Sequence, residues 1–334
     1  MKAVSYGNSG LMVSPICLGT MMFGGQTPDA EARRIADFLL ERGVFFWDTA
    51  DMYSLGRSES VCGSLLKGRR NRVVLATKVY AAMSEEPNDR GLSARHIVQA
   101  CEDSLRRLQT DWIDIYYMHL PDKAPVEETL RTMEDLCRSG KVRYSACSNY
   151  RAWETLELWH LAKNNGWQAI SGIQPLYNIV NRDIEVEMLP MARAKGLGVV
   201  TYSPLARGVL TGKYGGGDIP AGSRLDRKDR RFLQAEWREE SVRTAEQLRP
   251  LAKRLHCTLS QLATAWVLNN VHVDSVIIGP RTFAQAEDAV GAIDVMWDSD
   301  AEDAVDALIP PGCHSGKAFF DVHYAPVTGR KSRV

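Results

Sequence analysis

The sequence predicts an α/β protein folded as a (β/α)8 TIM barrel, on three observations. Short apolar, β-branched or aromatic runs alternate with longer amphipathic runs, the pattern of parallel strands joined by right-handed crossover helices. The strand-and-helix pair recurs eight times, which favours a closed barrel over an open doubly wound sheet. The length of 334 residues exceeds one ordinary domain, but α/β barrels reach it as a single unit.

Residues 1–7 and Leu11-Met12-Val13 are expected to form a hairpin around Asn8-Ser9-Gly10, capping the barrel floor. Strand one is read at Ile16–Met21, and Pro28–Arg42 follows as a helix with Ile35, Phe38 and Leu39 on one face, closed by Gly43. Strand two is Val44–Trp47, and helix two is Ser58–Leu66 with Ser58 or its neighbour as cap. Strand three is Val73–Thr77, followed by a helix over Ser93–Leu108 with Ser93 as N-cap. Then come strand Ile113–Met118 with helix Val126–Ser139, strand Val142–Cys147 with helix Arg151–Asn164, and strand Ala169–Ile173 with helix Asp183–Lys195. Strand seven, Gly198–Tyr202, precedes a long polar stretch over Pro204–Glu240 and helical runs at Glu240–Leu255 and Leu259–Leu268. Strand eight is Ser275–Ile278, with helix Phe283–Ile293. One domain is expected over 1–334, with the barrel at 15–295 and a C-terminal helix and tail at 299–334.

Lys plus Arg equals Asp plus Glu at 41 each. A formal charge of zero argues against a protein that coats nucleic acid or an anionic membrane, though not against a small basic pocket for a phosphate. No apolar run has the roughly 18 residues of a spanning helix, and the N-terminus lacks a signal-peptide core. The seven cysteines are odd in number and lack a Cys-x-x-Cys pair. Reduced, buried thiols in a cytoplasmic protein are expected rather than a disulfide framework or a zinc ribbon.

A barrel of this kind carries its active site at the C-terminal strand ends. Asp48 follows strand two, Lys78 ends strand three and His119 ends strand four, with Tyr53 in the loop after Asp48. Each alone has a plain structural reading: a turn cap, a buried ion pair, a core histidine, a packing tyrosine. Together they form equipment for a carbonyl. Asp48 would hold Lys78 charged, Lys78 would lower the Tyr53 pKa from about 10 toward working pH, and His119 would orient the carbonyl oxygen. No side chain carries hydride, so a nicotinamide cofactor is implied. Other motifs fail. Gly208–Lys213 is one residue short of a P-loop and Tyr214 stands where Ser or Thr belongs. Gly215-Gly216-Gly217 lies in a polar loop, suited to folding over a bound cofactor rather than to a Rossmann turn. No His-x-x-x-His pair or carboxylate cluster marks a metal site, and Arg330-Lys331-Ser332-Arg333 reads as a solvated tail.

The runs Asp48-Thr49-Ala50-Asp51-Met52-Tyr53, Gly56-Arg57-Ser58-Glu59, Ala76-Thr77-Lys78, Ile113–His119, Ser148-Asn149, Gln174–Asn178 and Tyr202–Gly208 together resemble the signature of the aldo-keto reductases, over residues 3–310. The resemblance implies a bacterial-type NADP-dependent carbonyl reductase whose catalytic tetrad is Asp48, Tyr53, Lys78 and His119. It implies that Ser148, Asn149 and Gln174 hold the nicotinamide carboxamide and that Tyr202 stacks on the ring. Ser203, Leu205 and Gly208 would line the pyrophosphate, Arg281 would meet the 2′-phosphate of NADP(H), and Gln285 and Asp288 would flank the adenine. Gly19, Thr20, Met21, Pro204, Arg207, Lys213 and Gly279 complete the expected cofactor contacts. Ala289 stands where many relatives carry Asn, so no adenine contact is carried over there. The substrate would be a small carbonyl compound or alcohol, and Met22, Phe23 and Tyr80 near the mouth hint at a bulky or aromatic one. Phe319, Phe320 and Tyr324 in the tail either line that pocket or pack on the barrel. The alternatives are a cofactor-binding sensor or channel-associated subunit with faded catalysis, and a barrel lyase or isomerase without nicotinamide. A monomer is compatible with the sequence.

Overall fold

In the computed structural model, which describes residues 1–217 and 219–316, eight parallel strands close into a barrel. A hairpin of β1 (Val4–Ser5) and β2 (Met12–Val13) precedes it. The barrel strands are β3 (Ile16–Gly19), β4 (Phe46–Asp48), β5 (Val74–Val79), β6 (Ile113–Met118), β7 (Val142–Ser148), β8 (Gly172–Gln174), β9 (Gly198–Thr201) and β10 (Ser275–Ile278). They pair in chain order, and β10 closes the ring on β3 with Val276 opposite Ile16.

Helices cover the outside: α1 (Asp29–Glu41), α2 (Arg57–Leu66), α3 (Ala94–Leu108), α4 (Val126–Arg138), α5 (Ala152–Asn164) and α6 (Met188–Lys195). After β9 come α7 (Arg230–Ala235), α8 (Glu239–Gln247), α9 (Arg249–Arg254) and α10 (Leu259–Leu268), then α11 (Phe283–Val290) and α12 (Ser299–Leu308). Ser93 caps α3 as the sequence suggests, accepting from the His96 amide. Helix α2 differs: it starts from Gly56 in the left-handed region, and neither Ser58 nor a neighbour caps it. Proline sets two further departures. The run 183–195 becomes a 3₁₀ turn at Asp183–Glu185 and then α6, which places Pro190 in a first turn, where its missing N–H costs nothing. Pro250 likewise splits the run 240–255 into α8 and α9. The polar stretch 204–240 contains a 3₁₀ segment, Ala206–Thr211, and the short α7.

Two apolar layers hold the fold. One lies between sheet and helices; the other fills the barrel with Cys17, Phe46, Ala76, Ile115, Tyr117, Ala146, Val200 and Ile277. Tyr6 plugs the floor: it is fully buried in the inner layer, and its hydroxyl meets that of Tyr117 at 3.3 Å. Gly172 and Gly198 leave room for that ring, since a Cβ at either position would strike it. Helix α12 is tied back by Arg182, which donates to Asp306 Oδ1 at 2.6 Å and to the Ile309 carbonyl at 2.7 Å. All seven cysteines are free; Cys313 is exposed, against the expectation of burial. The tail residues Phe319, Phe320, Tyr324 and Arg330–Arg333 lie outside the described residues.

Candidate active site at the barrel mouth

Strand alternation delivers the polar residues to the mouth. A side chain two places beyond an inward-facing one faces inward too. Phe46, Ala76 and Tyr117 belong to the barrel interior; Asp48, Lys78 and His119 follow each by two. The same step leads from Ala146 to Ser148, from Val200 to Tyr202, from Cys17 to Gly19, from Ile277 to Gly279, and from Gly172 to Gln174. With Tyr53 these residues surround a cleft of about 830 Å³; Lys78 alone stays behind its wall, fully buried.

Lys78 Nζ is the hub. It donates to Asp48 Oδ2 at 2.5 Å, to the Thr49 carbonyl at 2.7 Å and to the Tyr53 hydroxyl at 3.2 Å. Gln174 Nε2 donates to the other Asp48 oxygen at 2.9 Å. The His119 ring stands edge-on to Tyr53, with centroids 6.1 Å apart. Asn149 holds its left-handed turn (φ 62°) by donating to the His119 carbonyl and to Ser148 Oγ, and it accepts from the Tyr202 hydroxyl at 2.6 Å. All four expected catalytic side chains therefore meet.

Burial opposes the charge on Lys78, but the Asp48 carboxylate and the Tyr53 oxygen outweigh it and raise its pKa. The expectation for Tyr53 is corrected. Burial raises its pKa above 10, and the ammonium of Lys78 offsets this only in part. The phenol thus holds its proton at neutral pH, as a proton donor must. Asp51, two residues before it, is fully buried and pushed up to about 7, first by burial and next by the Glu59 carboxylate. Its Oδ2 has no hydrogen-bond partner among the described residues.

Of the expected cofactor contacts, Gly19, Met21, Ser148, Asn149, Gln174, Tyr202, Ser203, Pro204, Leu205, Arg207, Gly208, Lys213, Gly279, Arg281, Gln285 and Asp288 all line the cleft. Thr20 does not. Its hydroxyl turns outward, away from the barrel interior, to the Asp48 carbonyl and to Ser58 on α2, as strand parity requires once Gly19 faces the cleft. Met22 and Tyr80 line the cleft, whereas Phe23 is fully buried in the layer between sheet and helices. Gly215-Gly216-Gly217 does not line the cleft either. Arg224, Arg227 and Arg231 do, and sequence reasoning missed them; the only signal is a density of arginine between 224 and 231 inside a stretch that reads as loop. Lys213 has its pKa lowered by burial and then by Arg281, Arg224 and Arg227, so these four cations crowd one end of the cleft. Among the described residues, the Arg281 side chain makes only long hydrogen bonds, at 3.4 Å to Gln26 and to the Gly222 carbonyl.

The profile of the Aldo/keto reductase family matches residues 15–310. The chain belongs to the aldo/keto reductase family. That places it among oxidoreductases, as does its 37% identity over 332 residues to the "Uncharacterized oxidoreductase YrpG" of Bacillus subtilis (strain 168), covering 96% of this chain and 99% of that protein. This family member is also 38% identical over 303 residues to a "Probable voltage-gated potassium channel subunit beta" of Oryza sativa subsp. japonica, covering 89% of this chain and 92% of that protein. A protein of the same name from Arabidopsis thaliana is 37% identical over the same shares. Among the described residues of this aldo/keto reductase family member, no helix is long and apolar enough to cross a membrane, and no three His, Cys, Asp or Glu side chains group as a metal site.

Proposed function

We propose that the chain reduces aldehydes or ketones to alcohols, reversibly, with NADPH. The observation that carries this reading is one buried ammonium, Lys78, touching both the Asp48 carboxylate and the hydroxyl of a protonated Tyr53 at the mouth of the cleft.

The cleft residues fit a nicotinamide dinucleotide phosphate. Its volume suits an extended ligand. Hydroxyl and amide groups of Ser148, Asn149 and Gln174 cluster at the tetrad end, beside the flat Tyr202 ring. Lys213, Arg224, Arg227 and Arg281 crowd the far end, where like charges repel unless an anion joins them. Arg281 and its neighbours favour the 2′-phosphate form, because guanidinium pairs with phosphate in a fork. When bound, the reduced nicotinamide supplies a hydride to the carbonyl carbon.

The chain's own residues do the rest. Tyr53 donates its phenolic proton to the carbonyl oxygen as negative charge develops there, giving the alcohol. Lys78, held charged by Asp48, stabilises the phenolate left behind, which then takes a proton from solvent. Gln174 fixes the second Asp48 oxygen so that the pair keeps its geometry. His119, edge-on to Tyr53, positions the same carbonyl oxygen. Free thiols at every cysteine suit a reducing, cytoplasmic setting.

The names of the two plant relatives favour a second reading, a cofactor-binding subunit of a channel with faded catalysis. One experiment separates the two: a screen of aldehydes and ketones for oxidation of NADPH and of NADH. Turnover with NADPH ahead of NADH supports the reductase. NADPH binding, read by fluorescence, with no turnover across the panel contradicts it.

A further inference from the structure

One turn after β8 holds both ends of the irregular stretch that follows β9. Asn178 and Asn181 close that turn by exchanging backbone hydrogen bonds at 3.3 and 3.0 Å, and the Asn181 side-chain amide donates to Asn178 Oδ1 at 3.2 Å. Both side chains are buried. Asn178 Nδ2 donates to the Ser203 carbonyl at 2.9 Å, where the stretch begins. Asn181 Nδ2 donates to Glu236 Oε2 at 3.1 Å, and Asn181 Oδ1 accepts from Arg238 at 2.5 Å, where the stretch ends. The turn itself rests on the segment beyond α12: the Ser315 amide donates to the Val180 carbonyl at 3.1 Å, and the Arg182 amide to the Cys313 carbonyl at 2.9 Å.

Between the two ends lie all the cations that line the cleft except Arg281. The last of them, Arg231, sits on α7, which leads directly into Glu236. Asp229 caps α7 by accepting from the Phe232 amide and also pairs with Arg224 at 2.5 Å, while Phe232 packs on Tyr214 and Trp237. The arginines and the Glu236 anchor thus belong to one local unit. Like charges gathered in this way repel and would spread if the stretch were free. A long surface segment also has many arrangements to lose, and fixing its ends at one place removes a large share of them. The anchor suits that task. A carboxylate as buried as that of Glu236 is costly unless hydrogen-bonded, so a satisfied polar node here selects one arrangement of the chain.

We propose that Asn181 is a positioning residue for cofactor binding: with Asn178 it clasps both ends of the 203–236 stretch and so keeps its cations gathered for the phosphates of the nucleotide. This rests on the NADPH reading above and adds a residue that lies outside the cleft lining. Without the clasp, only a fraction of the molecules hold the cations in place at any moment, and the apparent affinity falls by that fraction.

The test is NADPH affinity by fluorescence titration in wild type, Asn181→Asp and Asn181→Asp/Glu236→Gln, with thermal melts to show that each is folded. Asn181→Asp sets two carboxylates against each other where an amide donated. The double replacement restores one donor and one acceptor with their roles exchanged. The single variant is expected to bind NADPH about tenfold more weakly, and the double variant to recover most of that loss. Action through the cations also predicts non-additivity: in an Arg224→Leu/Arg227→Leu background, Asn181→Asp is expected to cost less than about twofold. Should Asn181→Asp not fold, Asn178→Ala, which frees the other end, carries the same tenfold expectation. Wild-type affinity in the folded single variant overturns the proposal, and so does a loss that survives undiminished without the two arginines; the NADPH reading stands in both cases. A wild-type protein that binds neither NADPH nor NADH overturns both.

Discussion

Gln174 and Asp48, 126 residues apart in sequence, are joined by a 2.9 Å hydrogen bond from the Gln174 amide to Asp48 Oδ1. Lys78 holds the other carboxylate oxygen at 2.5 Å. The carboxylate is thus fixed from both sides inside the barrel, and the ammonium it neutralises is fully buried. Replacing Asp48 by Asn keeps the shape and removes the counter-charge. Breaking a buried pair from one side costs about 3–5 kcal/mol. Asp48→Asn is therefore expected to lower the unfolding free energy by that amount in urea titrations, and Asp48→Asn/Lys78→Met to recover a measurable part. A single variant as stable as wild type would show that Lys78 is not charged.

Asp51 gives a dependence on pH. Its carboxyl is pushed up to about 7 by burial and by Glu59 on α2, while Arg107 on α3 and Lys78 on β5 pull it down. An acid whose pKa is raised on folding keeps a proton that the unfolded chain has released. Stability therefore falls as pH rises from near 4 to near 7. Asp51→Asn removes that penalty. It is expected to exceed wild type above neutrality by on the order of 1–4 kcal/mol, with the advantage shrinking as pH falls and vanishing only below about pH 4. Urea unfolding at about pH 5 and about pH 8 reads the difference; equal slopes for the two proteins would refute the assignment.

The cation cluster predicts cofactor choice. Arg281→Leu removes one guanidinium from the group around Lys213. A charge-assisted contact to phosphate is worth about 1.5–3 kcal/mol, so NADPH affinity is expected to fall by about tenfold to a hundredfold. NADH, which lacks the 2′-phosphate, is expected to change by no more than about twofold. Equal losses for both would place Arg281 elsewhere than at that phosphate.

The barrel floor predicts a packing defect. A methyl at Gly198 would strike the Tyr6 ring, which is fully buried and has nowhere to move. Gly198→Ala is expected to cost about 1–3 kcal/mol of stability, as overpacking does. Thermal melts check it, and an unchanged midpoint would show that Tyr6 can leave the floor.

Much of the fold and the site is readable in the sequence, for a physical reason. Period-two alternation and strand-end position place Asp48, Lys78, His119, Ser148, Gln174 and Tyr202 on one mouth. Other features are harder to read. The family pattern includes Thr20 among the cofactor contacts, yet it turns away from the cleft because its neighbour Gly19 faces it. The irregular stretch after β9 carries no periodicity, so nothing local shows that Arg224, Arg227 and Arg231 fold back over the cleft. The direction of the Tyr53 shift depends on how deep the phenol lies, which a residue string does not encode.

The most direct measurement is NADPH oxidation by Tyr53→Phe with an aldehyde that wild type reduces. Losing a general acid costs about 10²–10⁴ in rate. Turnover is expected to fall by that factor while NADPH still binds with wild-type affinity. A variant that binds NADPH and reduces the aldehyde as fast as wild type would remove Tyr53 from the chemistry, and with it any catalytic purpose for the Lys78 contact.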